Sequence, residues 1–266
     1  MTPEKLADAG LRLAQDGPVV TITLDRPEVR NAQTPAMWRA LAEVGAGLGD
    51  EVRVVVLRGA GQSFSAGLDR SMLDPSGGAG GADGAETVAS LLALSDEEMS
   101  ETIDAYQRGF TFLRDPRFVS VAAVQGYAIG AGLQLALSCD LRIATTDAQL
   151  CMKEAALGLV PDLTGTKPLV EAVGYARALE ICATARMVGA DEAVAIGLVQ
   201  AAVPAGRLDE AVAELVTALT APMPGAVRET KALLQGAADR NLDEQRRLER
   251  EAQTRRFREV AALARQ

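Results

Sequence analysis

The chain has 266 residues, of which 48% are hydrophobic and 24% charged, the balance of an ordinary globular protein. Its 36 acidic residues outnumber its 27 basic residues. The net charge of −9 argues against a nucleic-acid backbone or an anionic membrane surface as the main partner. The sequence contains no histidine, which excludes Ser-His-Asp and Cys-His catalysis and His-ligated zinc. Acid–base chemistry would therefore use Asp, Glu, Lys, Tyr or Cys.

The cysteine content and the start of the chain indicate the compartment. Cys139, Cys151 and Cys182 are an odd number without metal-ligand spacing, so we expect reduced thiols packed in the core. The first residues contain no apolar signal-peptide core, and no run approaches the ~18 apolar residues of a membrane span. The sequence therefore predicts a cytoplasmic protein without a bound metal or redox cofactor.

Strands and helices alternate in the first part of the chain. Thr34 and Pro35 are suited to the N-cap and first position of a helix. Val54–Leu57 is a continuous apolar run, typical of a strand buried on both faces. The predicted elements are a hairpin of Leu11–Ala14 with Val19–Leu24, a helix at Thr34–Gly47, a strand at Val54–Leu57, a helix at Ser95–Leu113, a strand at Val119–Val124, a helix within Gly126–Cys139 and a strand at Leu141–Ala144.

After about residue 165 the pattern becomes entirely helical, which predicts an α/β core followed by a helical C-terminal part. The predicted helices are Leu169–Val173, Ala176–Thr184, Ala190–Ile196, Leu208–Ala218, Gly225–Ala238 and the charged tail Leu242–Ala264. One stretch, Asp74–Glu86, is so rich in glycine that we expect a mobile surface loop or a flap over a site.

Two glycine-containing loops follow two of the predicted strands. The first is the sequence FSAGLD at residues 64–69, and the second is GYAIGAG at residues 126–132. Glycines let a backbone turn sharply and expose its N–H groups, and two such groups from separate loops can form an oxyanion hole for a thioester carbonyl. The second loop has the spacing G-x-x-x-G-x-G, which differs from the dinucleotide fingerprint G-x-G-x-x-G.

An ordered set of motifs then resembles the crotonase (enoyl-CoA hydratase/isomerase) superfamily. The set is DRP at residues 25–27 with NA at 31–32, FSAGLD, VQGYAIGAGLQLALSCDLRIA, KEAALGLVPD and GADEAVAIGLVQAAVP, and it covers roughly residues 10–240. The resemblance implies a crotonase-like spiral of ββα units over residues 1–200 and a C-terminal helical trimerisation region over residues 201–266. It also implies an acyl-CoA substrate, no separate cofactor, and a homotrimer or homohexamer.

The resemblance assigns roles to the two loops. The oxyanion-hole amides would be those of Leu68 and Ala131. The glycines Gly67 and Gly130, which would shape the two turns, would also belong to the substrate-binding residues. The resemblance implies contacts with coenzyme A at Val29, Arg30 and Ala66, and either Arg30 or Lys231 could neutralise a phosphate.

Three further positions bear on the reaction. Hydratases of the superfamily hold a water molecule between two glutamates, and the matching positions here are Gln134 and Glu154. A glutamine can orient water but cannot accept its proton. Asp162 lies where dienoyl-CoA isomerases place a proton-abstracting aspartate. As structural alternatives, Glu154 would form a salt bridge with Lys153 or an arginine, and Asp162 would cap the following helix.

Three functional hypotheses remain open from the sequence. The first is an acyl-CoA enzyme that moves a double bond, with Glu154 and Asp162 transferring the proton. The second is a 2-enoyl-CoA hydratase that uses Glu154 and a water positioned by Gln134. The third is a non-catalytic acyl-CoA binding protein that retains the oxyanion hole.

Overall fold

The structure is a computed structural model that describes residues 1–73 and 86–265. The predicted glycine-rich loop therefore lies outside the described residues, apart from Glu86. The described residues form nine strands: β1 (Leu11–Asp16), β2 (Val19–Leu24), β3 (Val54–Gly59), β4 (Val119–Val124), β5 (Tyr127–Ile129), β6 (Leu141–Thr145), β7 (Gln149–Cys151), β8 (Val188–Gly189) and β9 (Ala201–Val203).

The helices begin where the sequence offers capping groups. The Thr34 hydroxyl accepts a hydrogen bond from the Met37 N–H, and Ser95 forms a capping box with Glu98. The α-helices of the described residues are α1 (Pro3–Asp8), α2 (Pro35–Gly47), α3 (Val88–Leu92), α4 (Asp96–Thr111), α5 (Ala131–Ser138), α6 (Thr166–Val173), α7 (Tyr175–Thr184), α8 (Ala190–Ala195), α9 (Leu208–Thr220), α10 (Pro224–Gln235) and α11 (Leu242–Leu263).

The main sheet has the strand order β1-β2-β3-β4-β6-β9. Only β1 and β2 pair antiparallel, and the other neighbours are parallel. A smaller sheet has the order β5-β7-β8. Because β3 and β4 are adjacent and parallel, the loops that follow them leave from the same edge of the main sheet.

Helices cover both faces of the main sheet, as the continuous apolar run of β3 predicts. Val55 and Leu57 belong to the larger core, which includes residues of α2, α4 and α5. Val54 and Val56 face the other way and pack with α9 in a second, smaller core. The sheet is thus a rigid support from which the loops project.

The prediction that only helices follow about residue 165 is wrong, because β8 and β9 lie in that region. Each has two or three residues, too few to show strand periodicity, and each is recruited by a distant partner. β9 extends the main sheet beside β6, and β8 pairs with β7. The short strands β5 and β7 were likewise not predicted.

The C-terminal part contains the expected helices. The division after residue 200 stays a prediction, and both β9 and α9, which follow it, pack on the main sheet. In α11 only Ala252 is buried. In the part of the chain that the structure describes, no helix combines the length and apolarity needed to cross a membrane.

Candidate active site

The two glycine loops lie side by side, joined like two short parallel strands. The Ser65 N–H donates to the carbonyl of Tyr127 at 2.9 Å, and the Ile129 N–H donates to the carbonyl of Ser65 at 3.0 Å. Ser65 and Ala128 form an isolated parallel bridge. Two loops that are far apart in sequence therefore form one continuous surface.

Glycine is required at the point where the loops approach most closely. Gly67 has a φ of 90°, and a Cβ there would lie 2.4 Å from the carbonyl oxygen of Ile129 and 3.6 Å from the amide nitrogen of Ala131. The N–H groups of Leu68 and Ala131 donate no hydrogen bond to any described residue. The loops thus place two unused backbone donors on neighbouring turns.

A polar network missed by the sequence analysis holds the first loop. The Ser65 hydroxyl donates to the Asn31 carbonyl at 2.8 Å and accepts from the Gly67 N–H and from Nε2 of Gln33. Oε1 of Gln33 in turn accepts from Nε1 of Trp38 at 2.8 Å. The signal that could have revealed this network was a run of polar residues just before α2.

Glu154 lies directly beside the glycine turn of the second loop. It begins a short 3-10 helix, Glu154–Leu157, after β7. The N–H of Gly130 donates to the Cys151 carbonyl at 2.8 Å, and a Cβ on Gly130 would lie 3.2 Å from Oε1 of Glu154. The carboxylate is therefore adjacent to the turn that presents the Ala131 amide.

Only 8% of Glu154 is exposed, and its Oε2 is buried without a hydrogen-bond partner among the described residues. No salt bridge involves Glu154 in the described ranges, so the predicted alternative of a pair with Lys153 or an arginine is wrong. A buried carboxylate oxygen without a partner is costly to maintain. This cost makes Glu154 a candidate for the catalytic base.

Gln134, on α5, is 1% exposed and has well-defined partners. Its Nε2 donates to Oε1 of Glu154 at 2.7 Å. Its Oε1 accepts from the N–H of Leu163 at 2.9 Å and of Gly165 at 3.2 Å. Since an amide oxygen has two lone pairs, both acceptor positions are used.

Asp162 lies in the loop between the 3-10 helix and α6. The N-cap of α6 is Gly165, without a side-chain capping bond, so the capping alternative for Asp162 is wrong. The Asp162 carbonyl accepts from Nε2 of Gln107, on α4, at 2.6 Å. The structure thus brings Gln134, Glu154 and the loop that carries Asp162 close together.

The protonation of both acids is shifted in the same direction. Burial raises the pKa of Glu154 above its ordinary value of 4.5, and the nearby charge of Asp162 raises it further, whereas the hydrogen bond from Gln134 opposes the shift. Partial burial of its carboxyl group also raises the pKa of Asp162, although the residue as a whole is exposed. Both groups therefore hold a proton more readily than ordinary carboxylates do, which suits groups that accept and return a proton.

The residues expected to contact coenzyme A lie on the outer side of the first loop. The Ala66 N–H donates to the carbonyl of Arg30 at 2.8 Å. The Arg30 guanidinium carbon lies 5.6 Å from the centre of the Tyr127 ring, at a cleft of about 870 Å³. Val29, which is 40% exposed, ends the short turn before Arg30. Their roles stay a prediction, since the structure shows only their proximity.

The expected phosphate contact of Lys231 is not supported. Its ammonium is buried and donates to the carbonyls of Asp115 and Phe118 and to Oδ2 of Asp140, each at 2.7 Å. All three donors are therefore used. These partners lie near the amino end of β4, whereas the glycine turn follows its carboxyl end. Lys231 thus links α10 to the residues around the start of β4.

The cysteines show the expected burial at two positions. Cys139 and Cys151 are almost completely buried, and Cys182 is half-buried. Burial raises the pKa of the Cys139 thiol to about 12, so it is a poor nucleophile. Among residues 1–73 and 86–265, no cluster of His, Cys, Asp or Glu could hold a metal ion.

Comparison with known proteins identifies the family. The family described as enoyl-CoA hydratase/isomerase matches residues 14–262. The chain belongs to this family. The resemblance to the crotonase superfamily is thereby confirmed, and the protein is a hydratase/isomerase-type enzyme with the crotonase fold.

Relatives within the enoyl-CoA hydratase/isomerase family include both kinds of enzyme. The short-chain-enoyl-CoA hydratase of Clostridium acetobutylicum is 30% identical over 243 residues, covering 90% of this chain and 86% of that protein. The mitochondrial Delta(3,5)-Delta(2,4)-dienoyl-CoA isomerase of Mus musculus is 32% identical over 235 residues, covering 85% and 68%. Such similar identities do not decide between hydration and isomerisation.

A solved structure of a Thermobifida fusca protein in complex with acetoacetyl-CoA superposes with a TM-score of 0.92. It is 51% identical and covers 97% of this chain and 98% of its own. At this similarity, the loops and short strands of this enoyl-CoA hydratase/isomerase family member have counterparts over nearly the whole chain.

Proposed function

We propose that this enzyme isomerises a carbon–carbon double bond in an acyl-CoA thioester. One observation carries the proposal. A single buried carboxylate, Glu154, with an unpartnered oxygen lies beside two unused backbone amides, and its hydrogen-bond partner is Gln134. A double-bond shift needs one base and a stabilised enolate, whereas hydration also needs a group to activate water.

The proposed reaction begins with the thioester oxygen accepting hydrogen bonds from the N–H groups of Leu68 and Ala131. Oε2 of Glu154 then removes a proton from a carbon of the acyl chain, and the electrons of that bond move toward the thioester oxygen as an enolate. Oε2 of Glu154 then delivers a proton, after exchange with solvent, to another carbon of the delocalised system, so the product has the same composition as the substrate apart from exchanged hydrogen. Loss of one oxyanion-hole donor typically costs about 3 kcal/mol in the barrier.

Asp162 provides a second acid or base for a longer shift. Its charge influences Glu154, so the two carboxyl groups lie near each other. In a conjugated diene, the proton is removed at one end and added at the other, and two groups with raised pKa values are suited to those separate positions.

Hydration of a 2-enoyl-CoA is the second candidate, favoured by this same pair of carboxyl groups. Gln134 argues against hydration, because its side-chain oxygen already accepts two backbone hydrogen bonds and cannot accept one from a water as well. A protein that only binds acyl-CoA is the third candidate.

Coenzyme A as part of the substrate is supported by the acetoacetyl-CoA complex of the Thermobifida fusca protein. No separate cofactor is proposed, and a cytoplasmic location stays a prediction. We further propose a homotrimer or homohexamer. Tyr175 and Leu179 on α7 are 70% and 52% exposed, which favours burial against another subunit. Light scattering after gel filtration tests this assembly, and a monomer contradicts it.

The function is tested with a panel of 2-enoyl-, 3-enoyl- and dienoyl-CoA substrates in heavy water. We expect products of altered double-bond position with deuterium incorporated and without the mass of an added water. A product heavier by one water supports hydration instead. Binding of the CoA thioester without either change supports the non-catalytic hypothesis.

A further inference from the structure

We propose that Gln134 is a positioning residue that turns Oε2 of Glu154 toward the substrate and fixes the loop carrying Asp162. This inference rests on the proposed function, and it gives Gln134 a task other than holding water. It is drawn from the contacts of one side chain, which joins α5, the 3-10 helix and the loop before α6.

The orientation of the Gln134 amide is fixed by its neighbours. Two backbone N–H groups, from Leu163 and Gly165, point at one end, so that end is the oxygen. The other end must then be the NH₂ group, which faces Oε1 of Glu154 at 2.7 Å. A reversed amide would set donors against donors on one side and oxygen against oxygen on the other.

This fixed amide determines which oxygen of Glu154 can react. Because Oε1 accepts the hydrogen bond from Gln134, only Oε2 remains without a partner among the described residues. A hydrogen bond that holds one carboxylate oxygen also limits rotation of the group. Proton transfer therefore passes through one oxygen held at one position, which favours catalysis.

The same side chain controls the second acid. The two N–H groups that Gln134 accepts come from the residues that follow Asp162, so the position of that loop depends on the amide oxygen. The fit is tight, because a Cβ on Gly165 would lie 2.6 Å from Cγ of Gln134. One glutamine thus sets the separation of the two carboxyl groups.

Few other titratable groups face Glu154. They are Asp162 from the loop, Cys151 from β7, Cys182 from α7 and Lys153 at the start of the 3-10 helix. The thiols of Cys151 and Cys182 have pKa values raised by burial, so they stay neutral in the acidic range where carboxyl groups titrate. In that range, a change in the titration of Glu154 reports on Gln134 and Asp162.

The first test compares Gln134→Leu with the wild-type enzyme. Leucine has a similar volume but leaves Oε1 of Glu154 and two N–H groups unpaired, so we expect kcat for isomerisation to fall about 30-fold with KM changed less than about threefold. Ser138→Ala is the matched control. It removes a buried hydrogen bond on α5, from the Ser138 hydroxyl to the main-chain carbonyl of Gln134, and leaves the side-chain amide of Gln134 and Glu154 unchanged. We expect its kcat and pH profile to match the wild type.

The second variant, Gln134→Glu, restores the contact only when its new carboxyl group is protonated. We expect its kcat to approach the wild type at low pH and to fall as pH rises, the reverse of the wild-type acid limb. A merely structural role would lower kcat by the same factor at every pH. Equal kcat values and pH profiles in the wild type and both variants overturn the proposal.

A readout without turnover separates this inference from the proposed function. The carboxyl infrared band of Glu154, obtained as the difference between each protein and its Glu154→Gln counterpart, is titrated with pH. We expect Gln134→Leu to raise the pKa of Glu154, because a donor to the charged form is lost. An unchanged titration overturns the positioning role, even if the substrate panel shows hydration, and a shifted titration supports it whatever the reaction.

Discussion

Glu154 and Lys231 are buried to the same degree, with 8% of each residue exposed, but their partners differ. Lys231 donates to three oxygens, one of which belongs to the carboxylate of Asp140 at 2.7 Å. Glu154 accepts one side-chain hydrogen bond, and its other oxygen has no partner among the described residues. The degree of burial alone would therefore not show that Lys231 is fully paired and Glu154 is not.

The difference teaches how to interpret a buried charge. Removing one partner of a complete buried ion pair leaves the other charge without compensation, so such a pair is important for folding. An incomplete buried charge lowers stability and is retained for another reason. We therefore expect substitutions at Glu154 to affect the reaction and substitutions at Lys231 to affect stability.

The sharpest test of this comparison is Glu154→Gln. We expect kcat to fall at least about 1,000-fold, equivalent to about 4 kcal/mol, because the amide cannot accept the proton. The affinity for CoA thioesters and the urea midpoint should stay equal to those of the wild type or rise. Steady-state kinetics, calorimetric titration and urea unfolding measure the three quantities.

Glu97→Gln, an exposed change on α4, is the control and should leave all three values unchanged. If Glu154→Gln keeps its turnover, both enzymatic hypotheses are contradicted. If it loses turnover only because it unfolds, Glu154 resembles Lys231 and the comparison fails.

The converse test is Lys231→Met. We expect the free energy of unfolding to fall by about 3 kcal/mol, because Asp140 loses its counter-charge and two carbonyls lose a donor. The kcat of the folded fraction should not change. Urea unfolding and kinetics at low temperature separate the two effects.

Lys167→Met provides the matched control for that substitution. Lys167 also contacts two carboxylates, Glu171 and Asp239, each at 3.3 Å, but its side chain is 65% exposed. We expect a loss below about 1 kcal/mol, as for other surface pairs. Equal losses at both lysines would show that burial does not control the effect.

Gly130→Ala tests whether the backbone turn beside Glu154 is needed for activity. Gly130 has a φ of 51° and a ψ of −120°, and a Cβ there would lie 3.2 Å from Oε1 of Glu154. We expect a stability loss of about 2 kcal/mol and a marked fall in kcat. Gly17→Ala has a similar φ of 52° with no atom within 4 Å of a Cβ, and should cost about 1 kcal/mol with kcat unchanged. Equal kinetic effects would contradict a role for the turn.

The smallest expected effect is a pH dependence of stability. The pKa of Glu154 is raised in the folded state above its ordinary value of 4.5, so its favourable contribution is complete below pH 4.5 and is lost as pH rises through the folded-state pKa. The stability of the wild type relative to Glu154→Gln should therefore decline as pH rises through the folded-state pKa. Urea unfolding across this range measures it, and an opposite slope contradicts the assignment.

Elements with strong local signals could be predicted from the sequence. The Thr34–Pro35 start of α2, the apolar run of β3 and the helix predicted from Ser95 all appear where expected. The short strands β8 and β9 could not be predicted, because their pairing depends on distant β7 and β6 rather than on their own residues.

The candidate site shows the same division. The motifs indicated Gln134, Glu154 and Asp162, but the use of both lone pairs of the Gln134 oxygen depends on backbone N–H groups 29 and 31 residues away. The partner of Lys231 is 91 residues away, which no spacing rule reveals. Local sequence therefore identified candidate acids, and only tertiary contacts distinguished the incompletely paired Glu154 from the fully paired Lys231.

The pairing of β6 with β9 has a consequence for folding kinetics. Residues 146–200 connect β6 to β9 and contain both Glu154 and Asp162. The two ends of this segment come together only when β9 pairs with β6. Closing such a long segment is slow relative to forming the hairpin of β1 and β2. During refolding, the first sheet contacts should become protected from hydrogen exchange before enzymatic activity returns, so the newly made protein passes through a stage with an assembled scaffold and no working catalyst.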